Sequence, residues 1–416
     1  MLGDRRNKVA AGLNPAAQAT SGRLWLFALV GHMQGQLFQP WVDGDHLRPA
    51  NFLVTGFDVC AFPRFDPVEV VSHPPIIDRA LREVEAAGRA QSEQDQTAGI
   101  TPSSIEAAAR DLAQYLPTTP LQYSRSFTDK ARCYVHIKIE SIQPIRAFKV
   151  RGALTKVMRL HPEERSAGVI TASAGNHGQG VAYAAAAFKI PATVFVPETA
   201  NQLKVEAIRR LGAEVVPAGR NYNDAYLEAM RHVERGGATF VHAFDDPDVI
   251  AGQGSVAVEL LRDLEDVDTV LVPIGGGGLI GGIALYLKET RPSVKVIGAE
   301  PVGADGMRRS LAAGRIVTLD RVDTIADGLA ASAPGKLTFE LAKRYVDEVV
   351  LVEDTEMLRA IRLLFEWEHL LAEPAGAAAL AALLYHYSPS PNEKVVVVLS
   401  GANITDEVMI RALKSR

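Results

Sequence analysis

The chain has 416 residues, 47% of them hydrophobic, enough for two or three domains with sizeable cores. Its formal net charge is −5, with acids and bases interspersed and no block of one sign, which argues against a nucleic-acid surface and for small-molecule partners. Cys60 and Cys133 are the only cysteines, which excludes a disulfide framework or a thiolate metal site and favours a reducing, cytoplasmic compartment.

Residues 1–100 carry His-Pro-Pro, Arg-Pro and Asp-Pro steps, scattered aromatics such as Trp25, Trp41 and Phe57, and no sustained period of 3.6 or 2. Residues 24–30 (LWLFALV), behind Arg5, Arg6, Lys8 and Arg23, look like the apolar core of an export signal. No small-x-small cleavage site follows and the run is too short to span a bilayer, so neither export nor a membrane segment is expected. The stretch reads as an N-terminal extension, poorly structured or translated from a mis-assigned upstream start, with the folded part beginning near Thr101.

From Thr101 the texture changes. Thr101-Pro102-Ser103-Ser104 opens a helix with Ile105, Ala108, Leu112 and Tyr115 on its apolar face, ended by Pro117 and Pro120. YVHIKI (134–139) predicts a strand that delivers the chain into SIQPIRAFKVRGAL (141–154), with Lys149 at its centre. Apolar strands then alternate with amphipathic helices: GVITAS before a helix from Gly178, ATVFVP before one through Ile208, TFVHAF before one to Leu264. TVLVPI, a helix over 281–288, VKVIGAE and KVVVVLSGAN (394–403) continue the series. This alternation predicts an α/β fold of open, twisted, mostly parallel sheets covered on both faces, whose ligands gather at strand carboxyl ends.

Two glycine-rich loops sit at such ends. ASAGNHGQG (172–180) leads from a strand into a helix, where free amides and the helix dipole suit a carboxylate or phosphate and Asn176 and His177 add side-chain donors. An ordinary turn using Gly175 and Gly178 for geometry is the plainer alternative. Gly275, Gly276, Gly277 and Gly278 follow TVLVPI, and four residues without Cβ let consecutive amides close on a phosphate. Gly276, Gly278 and Gly281 also satisfy G-x-G-x-x-G, with Glu300 ending the next strand, so an NAD(P) dehydrogenase is a rival reading. That rival leaves Lys149 and the AGNHG loop without a role.

The motifs FKVRGA (148–153), SAGNHGQG (173–180), HAFDDPDVIAGQG (242–254), GGGGLIGG (275–282), TIADGLA (324–330), EPAGAAAL (373–380) and LSGAN (399–403), in that order, resemble the serine/threonine dehydratase family, threonine ammonia-lyase-like enzymes. These are pyridoxal-phosphate enzymes of the tryptophan-synthase-β fold type, fold type II. The resemblance covers residues 101–416. It implies two α/β domains with pyridoxal 5'-phosphate in the cleft: 101–166 and 247–416 as a large cofactor-binding domain, and 167–246 as a small domain that closes on substrate.

The resemblance also assigns roles. Lys149, beside Phe148, matches the Schiff-base lysine, which later acts as base on the substrate α-proton. Gly275, Gly276, Gly277 and Gly278 with the amide of Leu279 match the phosphate cradle. Ser173, Ala174, Asn176 and His177 match the loop that holds the substrate carboxylate, Asn176 also facing the cofactor. Ser400 matches the hydroxyl at the pyridine nitrogen; a neutral partner there weakens the ring as an electron sink, which suits elimination better than transamination. The implied reaction is α,β-elimination of water from L-threonine or L-serine, giving 2-oxobutanoate or pyruvate plus ammonia. Related dehydratases of phenylserine or 3-hydroxyaspartate, and serine racemase, are the alternatives.

Departures from the family pattern sharpen these expectations. Racemising members carry a second serine where this chain has Ala174, so racemisation is expected to be poor. Glu300 and the carbonyl of Ala304 match two ligands of a divalent cation, but Gly306 stands at the third place with Asp305 one position off, so a metal is doubtful and Glu300 reads as a strand cap with a surface ion pair. Asp245, Asp246 and Asp248 read as a solvated loop and helix start, His242 as a satisfied strand-end residue, Trp367 as core packing, and Glu373 as a residue near the cofactor. The chain leaves no room after LSGAN for a regulatory domain, so inhibition by isoleucine is not expected. A homo-oligomer, dimer or tetramer, is.

Overall fold

The computed structural model describes residues 99–415. The readings made on residues 1–98, among them residues 24–30, Trp25, Trp41, Phe57 and Cys60, lie outside the described residues.

The strands are β1 (Leu121–Tyr123), β2 (Tyr134–Ile139), β3 (Val169–Ala172), β4 (Ala192–Val196), β5 (Glu214–Pro217), β6 (Thr239–Phe240), β7 (Thr269–Pro273), β8 (Lys295–Pro301), β9 (Glu348–Val352) and β10 (Lys394–Leu399). They form a six-stranded sheet in the order β1-β2-β10-β7-β8-β9 and a four-stranded sheet in the order β5-β4-β3-β6. Every pairing is parallel except that of β1 with β2. TVLVP and VVVVL are continuous apolar runs because both faces of these central strands are covered. Leu271, Val395 and Val397 belong to one core, and Val270, Val272, Val396 and Val398 to the other, as the period of two requires.

The helix Pro374–Tyr385 is buried from Pro374 to Leu383 and lies across β7, β8, β9 and β10; its run of alanines permits that close approach. On the opposite face the helices Pro247–Asp263 and Gly278–Thr290 pack against each other. Gly282 makes their contact, since a Cβ there would stand 2.4 Å from the Ile250 carbonyl oxygen. Leu399 of β10 pairs with Ile139 of β2, so the carboxyl ends of these neighbours are level and the chain leaves both at the same edge. Among the described residues no helix is long and apolar enough to cross a membrane.

Several boundaries differ from the sequence expectations. The first helix, Pro102–Leu112, is capped by the reciprocal Thr101 and Ser104 pair and stops before both prolines, leaving Tyr115 exposed. The helix Asn176–Phe188 starts two residues before Gly178, and Gly278–Thr290 three before Gly281, because both loops are shorter than their glycines suggest. Trp367 is 39% exposed; it rests on Phe127 at a ring distance of 5.4 Å, while Leu364 of the same helix fills the core.

The helix Lys149–Met158 is anchored by a buried charge cluster. Arg151, 1% exposed, donates from Nε and Nη2 to Glu140 at 2.7 and 2.8 Å, and from Nη1 and Nη2 to Glu259 at 2.7 and 2.9 Å. Lys138 Nζ completes it, donating to Glu259 at 2.7 Å and to the Thr119 carbonyl at 2.7 Å. Two acids and two bases neutralise one another, which makes their burial tolerable.

Candidate active site

A short helical turn (Glu140–Ile142) follows β2, and the chain then reaches Lys149, the first residue of its helix. Backbone contacts tie this entry to the turn after β10. Phe148 N–H donates to the Ser400 carbonyl at 3.0 Å, Ala402 N–H donates to the Arg146 carbonyl at 2.8 Å, and Ala147 bridges Gly401. Arg146 sits at φ +60°, a left-handed conformation uncommon outside glycine. Lys149 Nζ donates to the Ala243 carbonyl at 2.7 Å and stands 5.2 Å from the centre of the Phe148 ring. Desolvation lowers its pKa from 10.5 to about 8, so a sizeable neutral fraction exists at mildly alkaline pH.

The second loop leaves β3. Ser173 Oγ accepts from the Gly175 N–H at 3.2 Å, and Gly178 lets the helix start tightly, since a Cβ there would stand 2.3 Å from the Ser173 carbonyl oxygen. The N–H groups of Ala174, Asn176 and His177 meet no acceptor among the described residues, which leaves a helix N-terminus open to an anion. His177 is 3% exposed, with Nε2 2.9 Å from the Val241 carbonyl, so the proton belongs on Nε2 and Nδ1 is left without a partner. Burial first, then the nearby Lys149 charge, push its pKa down to about 3, and the ring is neutral.

The glycine run departs from β7. No acceptor among the described residues meets the N–H groups of Gly275, Gly276, Gly277, Gly278 or Leu279. Gly277 adopts φ +94°, and its neighbour Gly276 supports the Phe244 ring, where a Cβ would stand 2.2 Å from Cδ1. Part of the glycine requirement therefore comes from Phe244 rather than from a ligand. Thr338 Oγ1 donates to the Gly276 carbonyl at 2.7 Å and braces the loop from behind.

The segment 241–246 links these loops. Ala243 meets Lys149, Phe244 covers the glycines, and His242 Nδ1 accepts from Phe244 and Asp245 N–H at 3.2 and 2.8 Å, the satisfied role expected of it. Asp246 caps its own helix through the N–H groups of Asp248 and Val249. Asp245 is not merely solvated: its carboxylate accepts from Lys336, Leu337 and Thr338 N–H at 2.9, 2.9 and 3.1 Å, capping the helix Lys336–Tyr345.

Ser400 is buried, and its hydroxyl has one long contact, 3.5 Å to the Ala375 carbonyl. Glu300 makes no surface ion pair. It is 1% exposed and accepts from Met307 and Arg308 N–H at 2.8 and 2.9 Å, at the start of the helix Gly306–Ala313. Burial pushes its pKa up to about 8 against the pull of those two amides. Ala304 is buried, and Asp305 pairs with Arg309. Among the described residues no three or more His, Cys, Asp or Glu side chains gather as a metal site.

The fold thus brings Lys149, Phe148, Ser400, the AGNHG loop and the glycine run into one neighbourhood, and places Glu300 under a helix start. Three participants carried no role in the sequence reading: the Ala243 carbonyl, Phe244, and Asn403, which donates to Asn176 Oδ1 at 2.6 Å and to the Ile145 carbonyl at 2.9 Å. The LSGAN motif was the available signal for Asn403. A cavity of about 170 Å³ adjoins this neighbourhood, lined by Lys204, Asp327, Gly328, Glu373, Asn403 and Thr405 among others.

A desolvated lysine near two loops whose backbone amides meet no protein acceptor is the outline of a pyridoxal-phosphate dependent enzyme, and the chain belongs to that class, matching its family pattern over residues 112–401. It is 44% identical over 314 residues to an L-threonine ammonia-lyase of Thermotoga maritima, covering 76% of this chain and 78% of that one. The fold superposes on the processed threonine deaminase isoform 2 of Solanum lycopersicum with a TM-score of 0.72 at 36% identity, over 75% of this chain and 92% of that one. It matches maize serine racemase with the same TM-score and identity, over 75% and 96%. Within the class, the protein is a member of the serine/threonine dehydratase family.

Proposed function

We propose that the protein is a lyase that eliminates water from L-threonine, L-serine or both, the resulting enamine then tautomerising to an imine that water hydrolyses to 2-oxobutanoate or pyruvate plus ammonia. The observation that carries this reading is Lys149: a desolvated amine at a helix start, held by one carbonyl, between two loops of unused amides. The residues fit pyridoxal phosphate. The amides of Gly275, Gly276, Gly277, Gly278 and Leu279, which meet no protein acceptor among the described residues, would hold its phosphate, and Ser400 offers an underused hydroxyl at the end of β10. When bound, the cofactor supplies an electron sink for the bond broken at the substrate α-carbon.

The chain's own residues supply the rest. Lys149 Nζ anchors the cofactor and afterwards takes the α-proton, a role its lowered pKa favours. The amides of Ala174, Asn176 and His177 orient the substrate carboxylate, and neutral His177 adds no competing charge. Residues 167–246, which carry that loop, close over the substrate and exclude water. Glu300, with both oxygens on backbone amides, serves as a helix cap rather than as a cation ligand.

The overall fold does not separate lyase from racemase, because a threonine deaminase and a serine racemase superpose equally well. Ala174 favours the lyase, having no proton to give where the resemblance puts the second serine. We place the enzyme in the cytoplasm, as a dimer or tetramer. Keto-acid release from a panel of threonine, serine, phenylserine and 3-hydroxyaspartate tests the assignment; no release from any of them would refute it.

A further inference from the structure

Glu373 stands immediately before the helix Pro374–Tyr385, and its N–H donates to the Gly401 carbonyl at 3.0 Å, so its base is fixed to the Ser400 turn. Glu373 is 7% exposed. Oε1 accepts from Asn176 Nδ2 at 2.6 Å, and no protein donor among the described residues meets the other oxygen. Gly401 leaves it room, since a Cβ there would stand 2.2 Å from Oε1. Asn176 belongs to the four-stranded-sheet side of the cleft and Glu373 and Asn403 to the six-stranded side, so the amide is gripped across the cleft at both its nitrogen and its oxygen.

We infer that Glu373 is a positioning residue that fixes the orientation of the Asn176 amide across the cleft and tightens its hold when it ionises. The inference rests on the reading of Asn176 as a cofactor-facing residue. A carboxylate only accepts, so it compels Asn176 to present its nitrogen to position 373. Charge strengthens that bond, so the ionised form grips harder than the neutral one. Burial pushes Glu373 up to about 7, opposed by the Asn176 hydrogen bond. The charged groups facing it are Lys204, from the helix Gln202–Arg210, and Asp327, at the start of the short helical turn Asp327–Leu329; they pair with each other at 2.6 Å and act on Glu373 in opposite directions, Lys204 downward and Asp327 upward. Asn176 and Asn403 are neutral.

The test compares wild type with Glu373→Gln, which keeps the shape and does not ionise. In cofactor-free protein, isotope-edited infrared spectra of ¹³C-glutamate-labelled samples are expected to show a carboxyl titrating near neutral pH in wild type and missing in the variant. In the holoenzyme, release of pyridoxal phosphate is expected to slow roughly fivefold as pH rises through that range, the ratio that about 1 kcal/mol of added hydrogen-bond strength gives, and to stay flat in Glu373→Gln. Absence of the titration, or a variant whose release follows the wild-type pH profile, overturns the inference. Should Glu373→Gln fail to fold, Asn176→Ala is expected to raise the carboxyl midpoint by removing its donor; an unchanged midpoint also overturns it. Both pH effects without keto-acid release from any hydroxy amino acid would sink the proposed reaction and leave this inference standing.

Discussion

Replacing Arg151 by methionine keeps much of the side-chain volume and deletes the charge at the centre of the buried cluster. Glu140, 0% exposed, then keeps only the Thr119 hydroxyl at 2.6 Å, whereas Glu259, 14% exposed, retains Lys138 at 2.7 Å. The loss therefore falls chiefly on Glu140, and leaving such a charge unpaired costs about 3–5 kcal/mol. Urea unfolding of cofactor-free wild type, Arg151→Met, Glu140→Gln and the double variant measures it. The double variant is expected to recover about 2 kcal/mol relative to the sum of the single losses, because the stranded charge is gone. Lys149 lies two residues earlier on the same helix, so kcat is also expected to fall on the order of 100-fold if its amine shifts by about 1 Å. The pH dependence has a definite sign. Despite burial, Arg151 and then Lys138 lower Glu259 from 4.5 to about 2, so its contribution is present above pH 4.5 and fades as pH falls through 2. The gap between wild type and Arg151→Met should narrow over that acid range. A loss below about 1 kcal/mol at pH 7, with no coupling to Glu140, would refute the reasoning.

Lys149→Ala is expected to abolish turnover and the visible absorbance of bound pyridoxal phosphate while leaving circular dichroism unchanged; at pH 7 its cofactor-free form should be no less stable than wild type, since a desolvated ammonium is removed. Retained absorbance would reassign the anchoring amine. Gly276→Ala forces a Cβ to within 2.2 Å of the Phe244 ring and is expected to cost about 1–3 kcal/mol, together with cofactor affinity measured by equilibrium dialysis. Adding Phe244→Leu should return part of the stability; no change in either quantity would mean that the ring is free to move aside. Chiral chromatography of products from L-serine is expected to find D-serine only at trace level, and exchange as fast as pyruvate formation would contradict the role given to Ala174.

The residue types gathered at the candidate site stand out in the sequence. A lysine after a strand, glycines at strand ends and a small hydroxyl after VVVVL announce themselves through residue type and spacing. The central strands were legible because a run buried on both faces has to be apolar throughout. β5 was not: EVVP is short and only half-buried at its two valines, so its signal is weak. β6 shrinks to Thr239 and Phe240 because the chain leaves the sheet there, which frees Ala243 to meet Lys149.

By itself the sequence determined the α/β alternation, the candidate lysine, the two glycine-rich loops and the family, since each depends on local pattern or on ordered motifs. Only the tertiary structure decided what the buried polar groups do. Arg151 and Glu259 lie 108 residues apart, and Asn176 and Glu373 lie 197 apart, so nothing local specifies their pairing. Glu300 reads from the sequence as a strand cap with a surface ion pair, until the start of the helix Gly306–Ala313 is brought over it and buries it on two amides. A buried polar group must find a partner wherever the fold supplies one, and that supply is set by packing between distant segments rather than by their composition.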